Sequence, residues 1–279
     1  MAHEPRTVDR PRVGLALSGG AARGIAHVGV LRALEEHDIP INAIAGASAG
    51  ALVGGAYAAG MSTAELEALA RQFRWRHTAR FSFSRLGLQS NARMEQFLRA
   101  RLPVTRFEEL KIPFAAMVTD LRSGLPIALR GNGDIAFAIR ASSCLPALYV
   151  PVRDGDGRLL VDGGLVANLP ISYTRELGAD IVIAVDVGAD GARFIDHPRT
   201  ALGVLTQTFV AVERIVSKQE SGNADLIIAP KVGHIRWDET RRADEFLKIG
   251  YEAGLESIGR IKELMARYPL TRDPAETFV

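Results

Sequence analysis

A serine flanked by glycines two residues away on each side, Gly46-Ala47-Ser48-Ala49-Gly50, is the strongest chemical feature of this chain. The apolar run from Ile41 to Ala45 reads as a strand, and Ala49 to Ala59 reads as a helix. A strand that turns at once into a helix leaves the serine hydroxyl standing on a tight bend. A helix N-terminus lies beside it, where the helix dipole favours negative charge. This is the sequence form of a nucleophile elbow, whose turn admits only small residues at the positions taken here by Gly46 and Gly50. Taken alone, the pentapeptide also fits a plain tight turn into a buried helix.

Two further stretches bear on the choice. Ser18-Gly19-Gly20-Ala21-Ala22-Arg23-Gly24 follows the apolar strand Val13 to Leu17 and opens a helix carrying Ile25, Val28, Val30, Leu31 and Leu34. Such a turn presents backbone N–H groups and a positive dipole end. A dinucleotide site wants G-x-G-x-x-G. Counting back from Gly24, the middle glycine falls on Ala21, and Ala45 stands where a ribose-binding acid would be needed. A phosphate loop would need a Gly-Lys-Ser/Thr ending, which is missing. An oxyanion hole remains, with N–H groups near Gly20 and Ala21 placed to receive charge growing on a carbonyl oxygen. The third stretch, Leu159-Leu160-Val161-Asp162-Gly163-Gly164, puts an acid at the end of a short apolar strand, with glycines that turn the chain.

These motifs, in this order, resemble the patatin-like phospholipase family, in its compact bacterial form. The resemblance runs from about Val13 to Ala253. It includes Ala26-His27-Val28-Gly29-Val30-Leu31, Arg140-Ala141-Ser142-Ser143-Cys144-Leu145-Pro146, and Ala179 to Asp186. It implies Ser48 as nucleophile and Asp162 as its partner. Gly19, Gly20, Ala21 and Arg23 would form the oxyanion loop, with Gly24, Gly46, Gly50, Gly163 and Gly164 as supporting motif residues. It also implies a three-layer α/β/α fold around a mostly parallel sheet. Ala21 departs from the family pattern, which usually has glycine there. Alanine keeps its N–H, so a slightly tighter loop is expected.

A serine needs a base as it attacks. Of six histidines, His3 falls in the terminus, His37 and His77 have polar or basic neighbours, His197 follows a Gly/Asp-rich loop, and His27 sits where packing or capping is expected. His234 is the rival to a dyad, since Ser48, Asp162 and His234 keep the chain order of an α/β-hydrolase triad. A Ser48–Asp162 dyad is the reading adopted. A carboxylate beside Ser48 becomes an adequate base when burial raises its pKa. Arg23 would hold the loop, add positive potential, or face solvent or a phosphate.

The elements that must position these groups alternate along the chain. Strands are expected at 12–18, 41–45, 113–119, 126–130, 158–161, 181–186 and 225–229. Helices are expected at 23–36, 49–59, 63–72, 91–101, 134–141, 170–177, 201–221 and 243–267. Ser62 and Glu65 form a capping box. In the 201–221 helix, Leu202, Leu205, Phe209, Val212 and Val216 recur at helical spacing and should face the core. Segments 74–90, 152–157 and 187–200 read as irregular. Strand–helix alternation argues for a mostly parallel sheet covered on both faces. One domain over 12–267 is expected, with flexible tails at 1–11 and 268–279.

Composition sets bounds. The chain has 279 residues, 47 % of them hydrophobic and 24 % charged, and a formal net charge of +2, so no nucleic-acid partner is expected. The lone Cys144 excludes an internal disulfide and reads as a packed small residue. No apolar stretch follows Met1-Ala2-His3-Glu4-Pro5-Arg6, and no run of about 18 apolar residues occurs. A cytoplasmic protein, peripheral at a membrane, without signal peptide or span, is therefore expected. No metal-ligand spacing is present, and neither metal nor organic cofactor is called for. Segment 71–88 interleaves Arg71, Arg74, Arg76, Arg80 and Arg85 with Phe73, Trp75, Phe81 and Phe83. It is either a lid or membrane-docking edge, or a packed connector whose arginines snorkel to solvent. The function expected is hydrolysis of phospholipid or related glycerolipid esters through an acyl-enzyme. An acyltransferase on the same acyl-enzyme and a non-catalytic lipid-binding regulator are the alternatives.

Overall fold

Alternating strands and helices build a sheet that carries helices on both faces. The computed structural model describes residues 10–74, 79–190 and 198–268. His3, Trp75, Arg76, His77, His197 and most of both expected tails lie outside them. In chain order the first half holds β1 (Val13–Leu17), α1 (Ile25–Glu36), β2 (Ala43–Ala47), α2 (Ala49–Ala58), α3 (Thr63–Gln72), β3 (Arg80–Phe81), β4 (Gly87–Ser90) and α4 (Ala92–Arg99). Next come β5 (Phe114–Asp120), β6 (Pro126–Arg130), α5 (Ile135–Ser142), β7 (Ala147–Tyr149), β8 (Val152–Arg153) and β9 (Leu159–Asp162). The last part holds α6 (Gly164–Ala167), α7 (Ile171–Glu176), β10 (Ile181–Val185), α8 (Ala201–Ser221), β11 (Leu226–Ile228) and α9 (Ala243–Arg267).

The main sheet runs β11-β10-β1-β2-β5-β9-β8, with β6 also on β5. The five strands from β11 to β5 are mutually parallel, whereas β6, β9 and β8 join by antiparallel pairing. Every residue of β1, β2 and β10 is buried, as strands covered on both faces require. Alternation sorts the two faces. Val13, Leu15, Leu17, Ile44, Ile181 and Ile183 join one apolar cluster with residues of α1 to α5 and α9, while Ala16, Ala43, Val182 and Ala184 join another with Leu169 and Ile171. The expected capping box forms, with Ser62 Oγ accepting from the Glu65 N–H and the Glu65 carboxylate accepting from the Ser62 N–H.

Three expectations need correction. The 152–157 segment opens with β8, two residues that pair with β9. The 74–90 segment is not wholly irregular: β3, β4 and β7 make a small second sheet, with β4 antiparallel to β3 and parallel to β7. These strands are too short to show a period, and the β4–β7 partner lies far along the chain. In α8 the buried face is Phe209, Glu213 and Ser217. Leu205 is 55 % exposed, and Leu202, Val212 and Val216 are only half-buried. The inner face of α8 packs on α6, next to the candidate site, and there it carries polar groups where an apolar stripe was expected. Among the described residues no helix is long and apolar enough to cross a membrane.

Candidate functional site

The register of β5 explains how two residues 114 positions apart meet. On one edge of β5, β2 pairs up to Ala47 opposite Met117. β9 runs the other way along β5 and ends with Asp162 opposite Val118. β6 overlaps both pairings, so β2 and β9 share the opposite edge and point at each other end to end. The residue after β2 is Ser48 and the last residue of β9 is Asp162. Ser48 Oγ donates to Asp162 Oδ2 at 2.8 Å.

Ser48 sits at φ 50°, ψ −116°, a conformation that L-residues rarely adopt and that turns the hydroxyl out of the strand. The turn closes because Gly46 and Gly50 lie in contact. A Cβ on Gly46 would fall 2.5 Å from the Gly50 carbonyl, and one on Gly50 would strike the Leu17 carbonyl of β1. The bend is held from α5: Ser142 Oγ accepts from the Ser48 N–H at 2.9 Å, and Ser143 Oγ donates to the Ser48 carbonyl at 3.3 Å.

Asp162 is buried, and burial pushes its carboxyl up to about 7, opposed by hydrogen bonds from the Gly164 N–H and from Ser48. Its backbone is fixed as well, since its N–H donates to the Cys144 carbonyl and its own carbonyl accepts from Thr119 Oγ1. Cys144 itself is a packed residue whose thiol donates to the Val150 carbonyl, and burial pushes that thiol up to about 12.

The Gly19–Arg23 loop runs alongside the serine. A Cβ on Gly19 would lie 3.3 Å from Ser48 Cβ. The Gly19 N–H is committed to Asn168 Oδ1 at 3.1 Å, and Asn168 is oriented in turn by donating to Ser217 Oγ at 2.9 Å. The Ala22 and Arg23 N–H groups are also engaged. Among the described residues no acceptor is found for the N–H groups of Gly20 and Ala21. Ala21 takes a positive φ of 51° in place of the glycine of the family pattern. Arg23 is buried, with Nε donating to the Ile235 carbonyl at 3.0 Å, so it ties the loop to the segment before α9.

The three described histidines, His27, His37 and His234, make no contact with the Ser48–Asp162 pair. His27 is fully buried, donates through Nε2 to the Ser18 carbonyl at 2.9 Å, and is pushed down to about 4 by burial, so it stays neutral. His37 bonds the Ala33 carbonyl. His234 is half exposed and paired with Glu245 at 3.1 Å, turned to the surface.

Ser48 and Asp162 open into a cavity of about 970 Å³. One side is apolar, with Leu52, Val53, Leu69, Met94 and Phe97 from α2, α3 and α4 and Phe73 just after α3. The other is formed by the α8 face with Glu213 and Ser217. Sequence reasoning passed over Asn168 and Glu213, and quoted Ser142 within the Arg140–Pro146 segment without giving it a role. A polar residue six positions after Asp162 and an acid amid an amphipathic stripe were the signals for the first two. Among the described residues no group of histidine, cysteine or acidic side chains could hold a metal ion.

Likeness to known proteins shows the family. A family model described as patatin-like phospholipase matches residues 15–175, more than half of the chain. An NTE family protein of Mycobacterium tuberculosis is 38 % identical over 185 residues, covering 65 % of this chain and 51 % of that protein. A lysophospholipase of Neurospora crassa is 34 % identical over 183 residues, covering 63 % of this chain and 12 % of that protein. The chain thus spans about half the length of the mycobacterial relative. The crystal structure of VipD from Legionella pneumophila superposes with a TM-score of 0.55 at 16 % identity over 91 % of this chain and 67 % of that one, a likeness of fold alone. Sheet order, elbow and family match converge, and the chain belongs to the patatin-like phospholipase family.

Proposed function

We propose that this protein is a serine-dependent lipid acyl hydrolase that cleaves carboxylic esters of phospholipids or related glycerolipids. The observation that carries the reading is the 2.8 Å hydrogen bond from Ser48 Oγ to a buried carboxylate at the wall of a large apolar cavity. The acyl chain lies along the α2–α4 side. Ser48 Oγ attacks the carbonyl carbon while its proton passes to Asp162. The carbonyl oxygen gains the negative charge and is received by the Gly20 and Ala21 N–H groups. Collapse expels the alcohol, which takes the proton from Asp162. Water then attacks the acyl-serine, giving a proton to Asp162; collapse expels Ser48 Oγ, which takes that proton back, and the fatty acid leaves. An Asp162 titrating near neutrality suits both duties, base and then acid.

The test is labelling by a fluorophosphonate together with analysis of products from a single-chain phospholipid. Stoichiometric modification of Ser48 and release of free fatty acid are expected. A folded protein that neither reacts nor releases fatty acid refutes the hydrolase, and acyl groups found only on an added alcohol make it a transferase.

The edge beside the cavity supports a peripheral membrane contact. Phe81 is 70 % and Phe83 97 % exposed, stacked edge-to-face at 5.3 Å, with Leu86 and Leu88 exposed next to them. Leu88 adjoins Gln89, which lines the cavity, so the patch stands at its rim. At the other end of the segment Phe73 meets Phe97 and Arg71 pairs with Glu67 and Asp244. Replacing Phe81 and Phe83 by Ser is expected to lower turnover on vesicles about tenfold or more, since each ring buries apolar area in the interface. Turnover of a short soluble ester and the melting temperature should stay near the parent's. Equal losses on both substrates would show that the rings serve the fold.

A further inference from the structure

Glu213 is an acid that neither the fold nor the dyad uses. It stands on the inner face of α8, nearly as buried as the core at 9 % exposure, and it lines the cavity. Its Oε1 presses on two glycines of the site. A Cβ on Gly164, the residue whose N–H holds Asp162, would lie 2.5 Å from it. A Cβ on Gly19 would lie 3.1 Å from it and 3.3 Å from Ser48 Cβ, so acid and nucleophile flank the same loop residue. Among the described residues no hydrogen bond or ion pair reaches the Glu213 carboxyl. The carboxyl is therefore not sealed into the core; it opens on the cavity, where whatever occupies the site meets it. An acid that faces the cavity beside a nucleophile, with no partner among the described residues, is placed to bond a bound substrate.

Resting on the hydrolase reading, we propose that Glu213, in its carboxylic-acid form, donates a hydrogen bond to the carbonyl oxygen of the bound ester. It thereby acts as a third donor beside the Gly20 and Ala21 N–H groups. Its proton is shared with that oxygen and not transferred, so the acyl-transfer steps keep their balance.

The surroundings keep the proton in place. Burial first, then the charges of Asp162 and Asp186, push Glu213 well above the ordinary carboxylate range, against the pull of Arg23. On its own helix Arg214 lies one position on and adds positive potential to the same site. α6 contributes no ionisable side chain. β7 contributes Tyr149. From α7 come Tyr173, Arg175 and Glu176, on the helix whose Ser172 bonds Glu220 two turns away from Glu213. Between the acids, Asp162 ionises first, because it alone accepts hydrogen bonds from Ser48 and Gly164. The order leaves an anionic base and a neutral donor in one site.

The test compares the parent, Glu213→Gln and Glu213→Leu on one soluble chromogenic ester from about pH 5 to about pH 10, with circular dichroism at each end. Dependence of the parent's turnover on Ser48 is established first, and its absence refutes the hydrolase and not the donor. In the parent, kcat/KM should rise as Asp162 ionises and fall again at alkaline pH as Glu213 loses the donated proton. Glu213→Gln keeps an N–H donor and cannot ionise, so its alkaline fall should vanish. Glu213→Leu should lose about 100-fold in kcat with KM within about threefold, the pattern of a donor used chiefly in the transition state. An unchanged alkaline limb in Glu213→Gln, or a Glu213→Leu variant as fast as the parent, overturns the proposal. Should Glu213→Leu fail to fold, the Glu213→Gln profile decides alone. Should Glu213→Gln also fail, Glu213→Asp decides, by displacing the alkaline limb or leaving it where it was.

Discussion

Ser48→Ala is expected to reduce ester hydrolysis by about 10⁵-fold or more while leaving the fold intact, since removing a nucleophile removes every step that passes through the acyl-enzyme. Among the described residues the side chain's hydrogen bond goes to Asp162 alone. The strained backbone at φ 50° is set by packing of Gly46 against Gly50 and by Ser142, neither of which touches the lost oxygen. Alanine occupies the same conformation with the same Cβ, so the melting curve should move by no more than about 1 kcal/mol equivalent. Measured on a p-nitrophenyl ester, full turnover by the folded variant would end the assignment. Loss of fluorophosphonate labelling must accompany loss of turnover, because both report the same oxygen.

Asp162→Asn should be nearly as damaging, with about 10³- to 10⁴-fold lost in kcat/KM, whereas His234→Ala should stay within about threefold of the parent. An amide in place of the carboxylate keeps the shape but leaves no proton acceptor beside Ser48. His234 bonds Glu245 at the surface, so its loss removes nothing from the dyad. A severe loss in folded His234→Ala would make the imidazole the base. The pH dependence carries a sign. Asp162 must be ionised to accept the proton, so activity rises with pH through about 7. Stability runs the other way. A buried acid whose folded pKa lies above its unfolded value holds its proton more tightly in the native state. The parent therefore loses stability as pH rises from the ordinary carboxylate range toward about 7. Asp162→Asn cannot ionise and should melt higher than the parent at pH above that value, while matching it in acid. A lower melting temperature at alkaline pH would mean that the charge on Asp162 stabilises the fold.

The amino-acid sequence by itself determined the elbow at Ser48, because a strand-to-helix turn that tight leaves no room for Cβ atoms at Gly46 and Gly50, and steric exclusion is local enough to be written in five residues. It also determined the parallel core, whose doubly covered strands must be unbroken apolar runs, and most helix spans, whose 3.6-residue period and caps are likewise local. Tertiary structure alone decided three things. End-to-end opposition of β2 and β9 on one edge of β5 brings Asp162 to Ser48, and no pattern inside either strand encodes which edge a distant partner takes. The exposed state of Phe81 and Phe83 follows from a short sheet completed by β7, more than fifty residues later, which an alternation of arginine and phenylalanine cannot foretell. The third is the inner face of α8. Hydrophobic periodicity chose Leu205 and its neighbours, but the helix rests beside the site and turns Ser217 toward Asn168, a polar partner that an apolar stripe could not satisfy, and Glu213 toward the cavity beside Gly19 and Gly164.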